Sequence, residues 1–225
     1  MSINIYTFGR RGGRGRHGGK PTMGPMISSS LKPLVTRAIN PVAAFAHARG
    51  VTPNAVTITG AFGTILGAAW FYSHENYFWG TLAISFFALS DLLDGAIARF
   101  SNKGPSAWGG FLDSTIDRIT DAAITIALLL PLIREDDQLA YLGLATLVTG
   151  FLTPYIRAKA ESFGIPCSVG IAERTERLII ILTGAGLHGL GVPFALAGAF
   201  WLLALLGLIT VGQRFFVVYR GLAER

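Results

Sequence analysis

Residues 91–99 read Asp-Leu-Leu-Asp-Gly-Ala-Ile-Ala-Arg, and residues 109–117 read Gly-Gly-Phe-Leu-Asp-Ser-Thr-Ile-Asp. Both stretches lie inside apolar runs that predict helices, where carboxylates are costly and normally functional. Asp91 and Asp94 are spaced i, i+3, and Asp113 and Asp117 are spaced i, i+4. Each pair is therefore expected on one face of its helix, pointing two negative charges in one direction.

The turn-forming residues 101–105, Ser-Asn-Lys-Gly-Pro, separate these two helices. A tight turn at this point predicts an antiparallel hairpin that brings the four aspartates together at similar depth. Four carboxylates with oxygen-only donors suit hard cations. The sequence therefore predicts a site for Mg²⁺ or Mn²⁺, with Ca²⁺ as an alternative in a looser cage.

Composition predicts an all-α integral membrane protein, because 51% of the residues are hydrophobic and only 14% are charged. Runs of about 20 apolar residues predict six transmembrane helices near 54–73, 77–99, 108–133, 138–160, 177–190 and 192–214. With the N-terminus inside, all of the 19 Lys and Arg residues except Arg134 fall on the cytoplasmic side. This bias predicts a multi-pass protein of the cell (inner) membrane, with the aspartates facing the cytoplasm.

The two ends of the chain are expected outside the six-helix domain of residues 51–217. Residues 1–26 are rich in Gly and Arg and predict a disordered basic tail beside the anionic leaflet rather than a nucleic-acid-binding segment. Apolar residues at roughly helical spacing predict that 27–50 form an interfacial, juxtamembrane amphipathic helix that contacts membrane lipid. Residues 218–225 are expected to form a cytoplasmic C-terminal tail.

The eight residues Asp91, Asp94, Gly95, Ala98, Arg99, Gly109, Asp113 and Asp117 match D-x-x-D-G-x-x-A-R followed by G-x-x-x-D-x-x-x-D. This pattern resembles the motif of the CDP-alcohol phosphotransferase family. The resemblance implies phosphoryl transfer assisted by two Mg²⁺ ions, with Mn²⁺ possible, held by Asp91, Asp94, Asp113 and Asp117. It assigns the catalytic base to Asp117, which is expected to take the proton of the acceptor alcohol.

Residues beside the aspartates are candidates for binding the nucleotide of the donor. The glycine at position 95 lets a bulky group approach the helix backbone, and Arg99 offers a planar fork that suits a phosphate. Residues 52–57, Thr-Pro-Asn-Ala-Val-Thr, resemble the family stretch that contacts cytidine, which implies that Asn54 and Thr57 bind the nucleotide. Ser106 falls where the family has a small hydroxyl near the phosphates.

Two basic segments suggest the acceptor. One contains Arg157 and Lys159, and the other contains Arg174 and Arg177. These four side chains predict a pocket for an acceptor that itself carries a phosphate. Within the family these segments resemble those of prokaryotic phosphatidylinositol phosphate synthases, which implies CDP-diacylglycerol as donor, myo-inositol phosphate as acceptor, and a homodimer. Two alternatives stay open: a phosphatidylglycerophosphate synthase, which would use glycerol 3-phosphate, and a divalent-cation channel or transporter.

Overall fold

The structure is a computed structural model that describes residues 39–100 and 106–224. The predicted tail at 1–26, the first part of the predicted 27–50 helix and the turn at 101–105 lie outside these residues. Residues 39–48 are helical and form the described part of α1. The other helices are α2 (Pro53–Phe71), α3 (Tyr77–Ala88), α4 (Ser90–Phe100), α5 (Ala107–Arg134), α6 (Leu139–Ser162), α7 (Arg174–Gly189) and α8 (Ala195–Ala223), with a short 3₁₀ turn at Tyr72–His74. The described part of the chain contains no strand.

Four helical segments are long and apolar enough to cross a bilayer: Pro53–His74, Tyr77–Arg99, Leu139–Ser162 and Ala195–Ala223. The prediction of an all-helical, membrane-embedded protein is therefore confirmed. The helix α5 is long enough as well, but the charges of its first half, including Asp113 and Asp117, lower its hydropathy. The helix α7 has 16 residues, fewer than the roughly 20 that span a bilayer unaided.

Several predicted boundaries differ from the observed ones. The second predicted span is interrupted at Leu89, where the backbone N–H bonds to the carbonyls of Phe86 and Phe87 and closes α3 before α4 begins. The helix α7 begins at Arg174, three residues before the predicted span. The helix α8 continues to Ala223, so most of the predicted C-terminal tail at 218–225 extends the last helix.

The helix α2 organises the half of the bundle that carries the motif, because it packs against α3, α4 and α5. It begins at Pro53 behind Thr52, whose hydroxyl accepts a hydrogen bond from the Ala55 N–H and caps the helix. At Gly60 a Cβ atom would fall 1.7 Å from the Ser90 hydroxyl oxygen, so only glycine allows this approach of α2 to the start of α4. The close contact places the N-terminal half of α2 directly beside the aspartates of α4.

The other half of the bundle is built from α6, α7 and α8, with α7 also packed on α3. The apolar core joins both halves through fully buried side chains, among them Tyr72, Leu128, Ala185 and Phe200. Large apolar side chains on the outside, such as Phe62 and Trp201, are more than half exposed. A contiguous apolar exterior of this kind is what contact with lipid tails requires.

Candidate active site

The aspartates of the motif occupy the facing parts of two helices. Asp91 and Asp94 lie in the first half of α4, where Asp94 is buried and Asp91 is partly exposed. Asp113 and Asp117 lie one turn apart on α5, where Asp113 is exposed and Asp117 is partly buried. One further turn along α5, Asp121 extends this acidic stripe.

The guanidinium of Arg174 joins the two helices. Its Nη1 lies 2.5 Å from Asp91 Oδ2 on α4 and 3.0 Å from Asp117 Oδ1 on α5. Because one nitrogen contacts both oxygens, Asp91 and Asp117 are close enough to be bridged by a single cation. The structure thus brings these two aspartates together across α4 and α5, with an arginine between them.

Two more arginines surround Asp121. Arg177 places Nη2 3.0 Å from Asp121 Oδ2, and its Nη1 donates to the Gly150 carbonyl at 3.3 Å. Arg118, on the same face of α5, lies 3.7 Å from Asp117 and 4.0 Å from Asp121. Three carboxylates, those of Asp91, Asp117 and Asp121, contact the three guanidinium groups. With Asp94 and Asp113 on the same two helices, the aspartates outnumber these arginines by five to three, which leaves negative charge for a further cation.

The predicted nucleotide-binding residues lie at the start of α2 and α5. Thr57 donates its hydroxyl to Asp94 Oδ2 at 2.5 Å, which fixes the most buried aspartate of the set. Ser106 is the N-cap of α5 and accepts from the Gly109 N–H at 2.9 Å. A Cβ atom at Gly109 would lie 3.0 Å from Ser106 Oγ and 3.4 Å from Asn54 Oδ1, so Asn54 and Ser106 converge on this glycine.

Arg99 lies two turns after Asp91 on α4 and is exposed. Its Nη1 is the nearest atom to the position that a Cβ of Gly95 would take, at 4.0 Å. The glycine therefore leaves the backbone of α4 open between the aspartates and this guanidinium. An anionic group could reach the helix surface here with Arg99 at its edge.

The four basic residues predicted for the acceptor pocket divide into two pairs. Arg174 and Arg177 contact the acidic cluster, as described above. Arg157 is exposed and pairs with Glu161 at 2.9 Å on α6, while the Lys159 ammonium lies 4.8 Å above the Phe163 ring. Of these four predicted residues, only Arg174 and Arg177 contact the aspartates among the described side chains.

A cavity adjoins the arginines between α5, α6 and α7. Its polar end is formed by Arg118, Asp121 and Arg177, and its other walls include Phe151 and Ile181. Thr146 lines it as well, and among the described residues its buried hydroxyl oxygen has no hydrogen-bond partner. The acidic cluster thus opens into a space with polar groups at one end and apolar groups at the other.

Sequence reasoning missed Arg214, which is buried in α8 at 4% exposure. It donates Nε to the Val169 carbonyl at 2.9 Å and Nη1 to the Thr153 carbonyl. The first bond ties the segment between α6 and α7, which leads into Arg174, to α8, and the second ties α6 to α8. An arginine inside the apolar run of the last span was the available signal, because such residues are rarely incidental.

The donor set fits a hard divalent cation, since the carboxylates supply oxygen ligands only and exceed the arginines in charge. Within residues 39–100 and 106–224, however, no group of three or more His, Cys, Asp and Glu side chains is arranged around a common ion position. The guanidinium of Arg174 contacts both Asp91 and Asp117 in this arrangement. The four-aspartate metal site therefore stays a prediction.

The sequence model of the CDP-alcohol phosphatidyltransferase family matches residues 50–217, and the chain belongs to that family. It is an enzyme of the CDP-alcohol phosphotransferase type. The chain is 41% identical over 214 residues to the phosphatidylinositol phosphate synthase of Streptomyces avermitilis, covering 91% of this chain and 87% of that protein.

Two solved structures of phosphatidylinositol phosphate synthase from Mycobacterium tuberculosis are similar to this fold. The one with CDP-DAG bound has a TM-score of 0.77 and 39% identity, and the match covers 81% of this chain and 94% of that one. The one in complex with manganese and citrate has a TM-score of 0.75 and 38% identity, with 80% and 88% of the two chains covered. This chain is therefore similar to both structures in fold and in sequence.

Proposed function

We propose that this protein transfers the phosphatidyl group of CDP-diacylglycerol to myo-inositol phosphate, giving phosphatidylinositol phosphate and CMP. The observation that carries the proposal is the contact of Arg174 and Arg177 with the aspartates of the family motif. Two guanidinium groups beside the reacting centre suit an acceptor that bears its own phosphate. The names of the relatives and the CDP-DAG bound to one of them support the same donor and acceptor.

The donor nucleotide is assigned to the surface formed by the starts of α2 and α5. Asn54 and Ser106 converge there on Gly109, and Thr57 reaches Asp94 from the same face of α2. Gly95 and Arg99 extend this surface along α4, with the guanidinium at the edge of an open backbone. In this arrangement Arg99 contacts a donor phosphate, and the diacylglycerol tails point into the bilayer.

The metal ligands in this proposal are Asp91, Asp94, Asp113 and Asp117, which would hold two Mg²⁺ ions or, alternatively, Mn²⁺. Bound divalent ions would neutralise the pyrophosphate of the donor and polarise the phosphorus under attack. The hydrogen bond from Thr57 orients Asp94 for this role. Manganese in a similar structure supports the use of a divalent ion by this fold.

Asp117 is the proposed catalytic base. A hydroxyl oxygen of the acceptor attacks the phosphorus that bears the diacylglycerol, the bond from that phosphorus to the CMP oxygen breaks, and Asp117 receives the hydroxyl proton. Asp117 is partly buried and lies 3.0 Å from Arg174, so the base and an acceptor-phosphate ligand are neighbours. Arg157 and Lys159 are assigned to the wider electrostatic field that attracts the acceptor to this surface.

In the proposed membrane arrangement, α5 and α7 cross the bilayer together with the four apolar segments, giving six spans. The N-terminus and the active site then face the cytoplasm of a cell (inner) membrane, which agrees with the placement of every Lys and Arg except Arg134. The 27–50 segment lies at the interface as an amphipathic helix, and its described part packs Ala43 against Ala96 and Ile97 of α4. The protein is proposed to act as a homodimer.

An acceptor panel tests the proposed reaction. Purified protein with CDP-diacylglycerol and Mg²⁺ is given myo-inositol phosphate, myo-inositol or glycerol 3-phosphate, and both CMP release and the labelled lipid product are measured. We expect turnover with myo-inositol phosphate at least about 100-fold above that with myo-inositol, because one charge-assisted phosphate site contributes roughly 3 kcal/mol. Glycerol 3-phosphate carries a phosphate as well, so its lower turnover would show that the protein also selects the inositol ring. Preferential use of glycerol 3-phosphate would identify a phosphatidylglycerophosphate synthase instead.

A further inference from the structure

Asp121 is an acidic residue outside the eight fixed positions of the family motif, yet it has more charged partners than any aspartate within the described part of the motif. Its Oδ1 accepts from Arg174 Nε at 3.3 Å, and its Oδ2 accepts from Arg177 Nη2 at 3.0 Å. Arg118 Nη1 lies 4.0 Å from the same Oδ2. Both oxygens of this carboxylate are therefore engaged by guanidinium groups.

Arg174 uses two different parts of its guanidinium in the cluster. Its Nε side contacts Asp121, whereas its Nη1 contacts Asp91 and Asp117. Divalent ions held by Asp91 and Asp117 would compete with Nη1 for the same oxygens, because two cations cannot occupy one position at such distances. Ions at that position would not compete for the contact between Arg174 Nε and Asp121.

Arg177, unlike Arg174, makes no described contact with Asp91 or Asp117. Its Nη1 donates to the backbone carbonyl of Gly150 on α6, and its Nη2 donates to Asp121 on α5. Only 13% of its side chain is exposed, so it has little freedom to change its position. Asp121 thus connects Arg177 with Arg174, whose outer nitrogens contact Asp91 and Asp117 through Nη1 and the Thr120 hydroxyl, at 3.4 Å, through Nη2.

We propose that Asp121 is a positioning residue for the acceptor phosphate. It holds Arg177 in place and acts as the pivot on which Arg174 turns when divalent ions bind. Nη1 then leaves Asp91 and Asp117, Nη2 leaves the Thr120 hydroxyl, and both contact the phosphate of the acceptor. This inference rests on the proposed function, and it assigns Asp121 no contact with metal or substrate. Metal loading and acceptor binding are then coupled through one side chain.

The rival role for Asp121 is that of a metal ligand, since it continues the stripe of Asp113 and Asp117 on α5. A ligand would have to give up its bonds to Arg174 and Arg177 before it could hold an ion. The two roles differ in what they affect: a ligand changes metal affinity, and a positioning residue changes acceptor affinity. Both quantities are measurable without turnover.

The test compares Asp121→Asn with the wild-type protein in its membrane-embedded or detergent-solubilised full-length form. We expect the KM for myo-inositol phosphate to rise by roughly tenfold or more, because asparagine offers one acceptor in place of two charged oxygens. The KM for CDP-diacylglycerol should stay within about twofold, and the Kd for Mn²⁺, measured by electron paramagnetic resonance without substrates, within about threefold. Asp136→Asn, which changes an exposed aspartate just beyond the C-terminal end of α5, is the matched control.

Two further variants separate the pivot from a general structural effect. Asp121→Glu keeps the charge, so it should restore the acceptor KM to within about threefold of the wild type. In an Arg174→Gln background, Asp121→Asn should add no more than about threefold to the acceptor KM, since most of the contact it serves is already lost. Additive effects in this double-mutant cycle would contradict the pivot.

A Kd for Mn²⁺ weakened tenfold or more in Asp121→Asn would overturn the proposal in favour of a metal ligand. An equal rise of both KM values, or an unchanged acceptor KM, would overturn it as well. If the proposed function itself is wrong, the wild-type protein will turn over another acceptor, which distinguishes that result from a failure of the Asp121 proposal. The variants can then be measured with that acceptor.

Discussion

Replacing Asp117 with asparagine should lower the rate of CMP release by about 10³-fold or more. Asparagine is close to aspartate in size but cannot accept a proton, and a positioned general base contributes roughly 10²- to 10⁴-fold to rate. The loss should be largest in kcat, measured with saturating donor, acceptor and Mg²⁺, while binding of CDP-diacylglycerol persists. The expectation follows from the place of Asp117 on α5, 3.0 Å from Arg174, which also contacts Asp91 of α4.

Two controls make this result interpretable. Asp136→Asn carries the same chemical change at an exposed position remote from the cluster and should keep the wild-type rate. Thermal unfolding of the solubilised Asp117→Asn protein should resemble that of the wild type. Activity within tenfold of the wild type in Asp117→Asn would remove this residue as the base.

Arg174→Gln should have two opposite effects on binding. The acceptor KM should rise by roughly 100-fold, since the variant loses a charged phosphate ligand whose bonds contribute about 1.5 to 3 kcal/mol each. The affinity for Mn²⁺ without substrate should increase, by about tenfold, because the guanidinium no longer competes for Asp91 and Asp117. A simple loss of structure would instead weaken both acceptor binding and Mn²⁺ binding.

These effects are measured by steady-state kinetics with each substrate varied and by titration with Mn²⁺. Arg220→Gln is the matched control, since Arg220 is exposed on α8 and lies over the Phe216 ring, away from the aspartates. The KM for CDP-diacylglycerol should change by less than threefold in both variants. Equal changes for donor and acceptor, or weaker Mn²⁺ binding in Arg174→Gln, would contradict the assignment.

Hydropathy located the helices well because the long apolar runs of this chain are compatible with few structures other than membrane helices. The predicted spans near 54–73 and 138–160 coincide closely with α2 and α6. The break at Leu89 was not predictable, since residues 86–90, Phe-Phe-Ala-Leu-Ser, contain no Gly or Pro that would signal one. Propensity and periodicity locate helices better than they locate the boundaries between them.

The active site was likewise predictable only in part. Spacing alone placed Asp91 and Asp94 on one helix face and Asp113 and Asp117 on another, and the motif supplied the family. The position of the Arg174 side chain between Asp91 and Asp117 could not be predicted, because Arg174 follows Asp117 by more than 50 residues and reaches it only through the packing of α7. Likewise, the role of Asp121 depends on which guanidinium groups the fold brings to it.

Diffraction at the manganese absorption edge from crystals of the wild-type protein grown with Mn²⁺ tests the central claim most directly. We expect anomalous density between α4 and α5, within bonding distance of Asp91, Asp94, Asp113 and Asp117, and Arg174 turned away from Asp91 and Asp117. Manganese bound elsewhere while Arg174 still bridges these two aspartates would contradict the account.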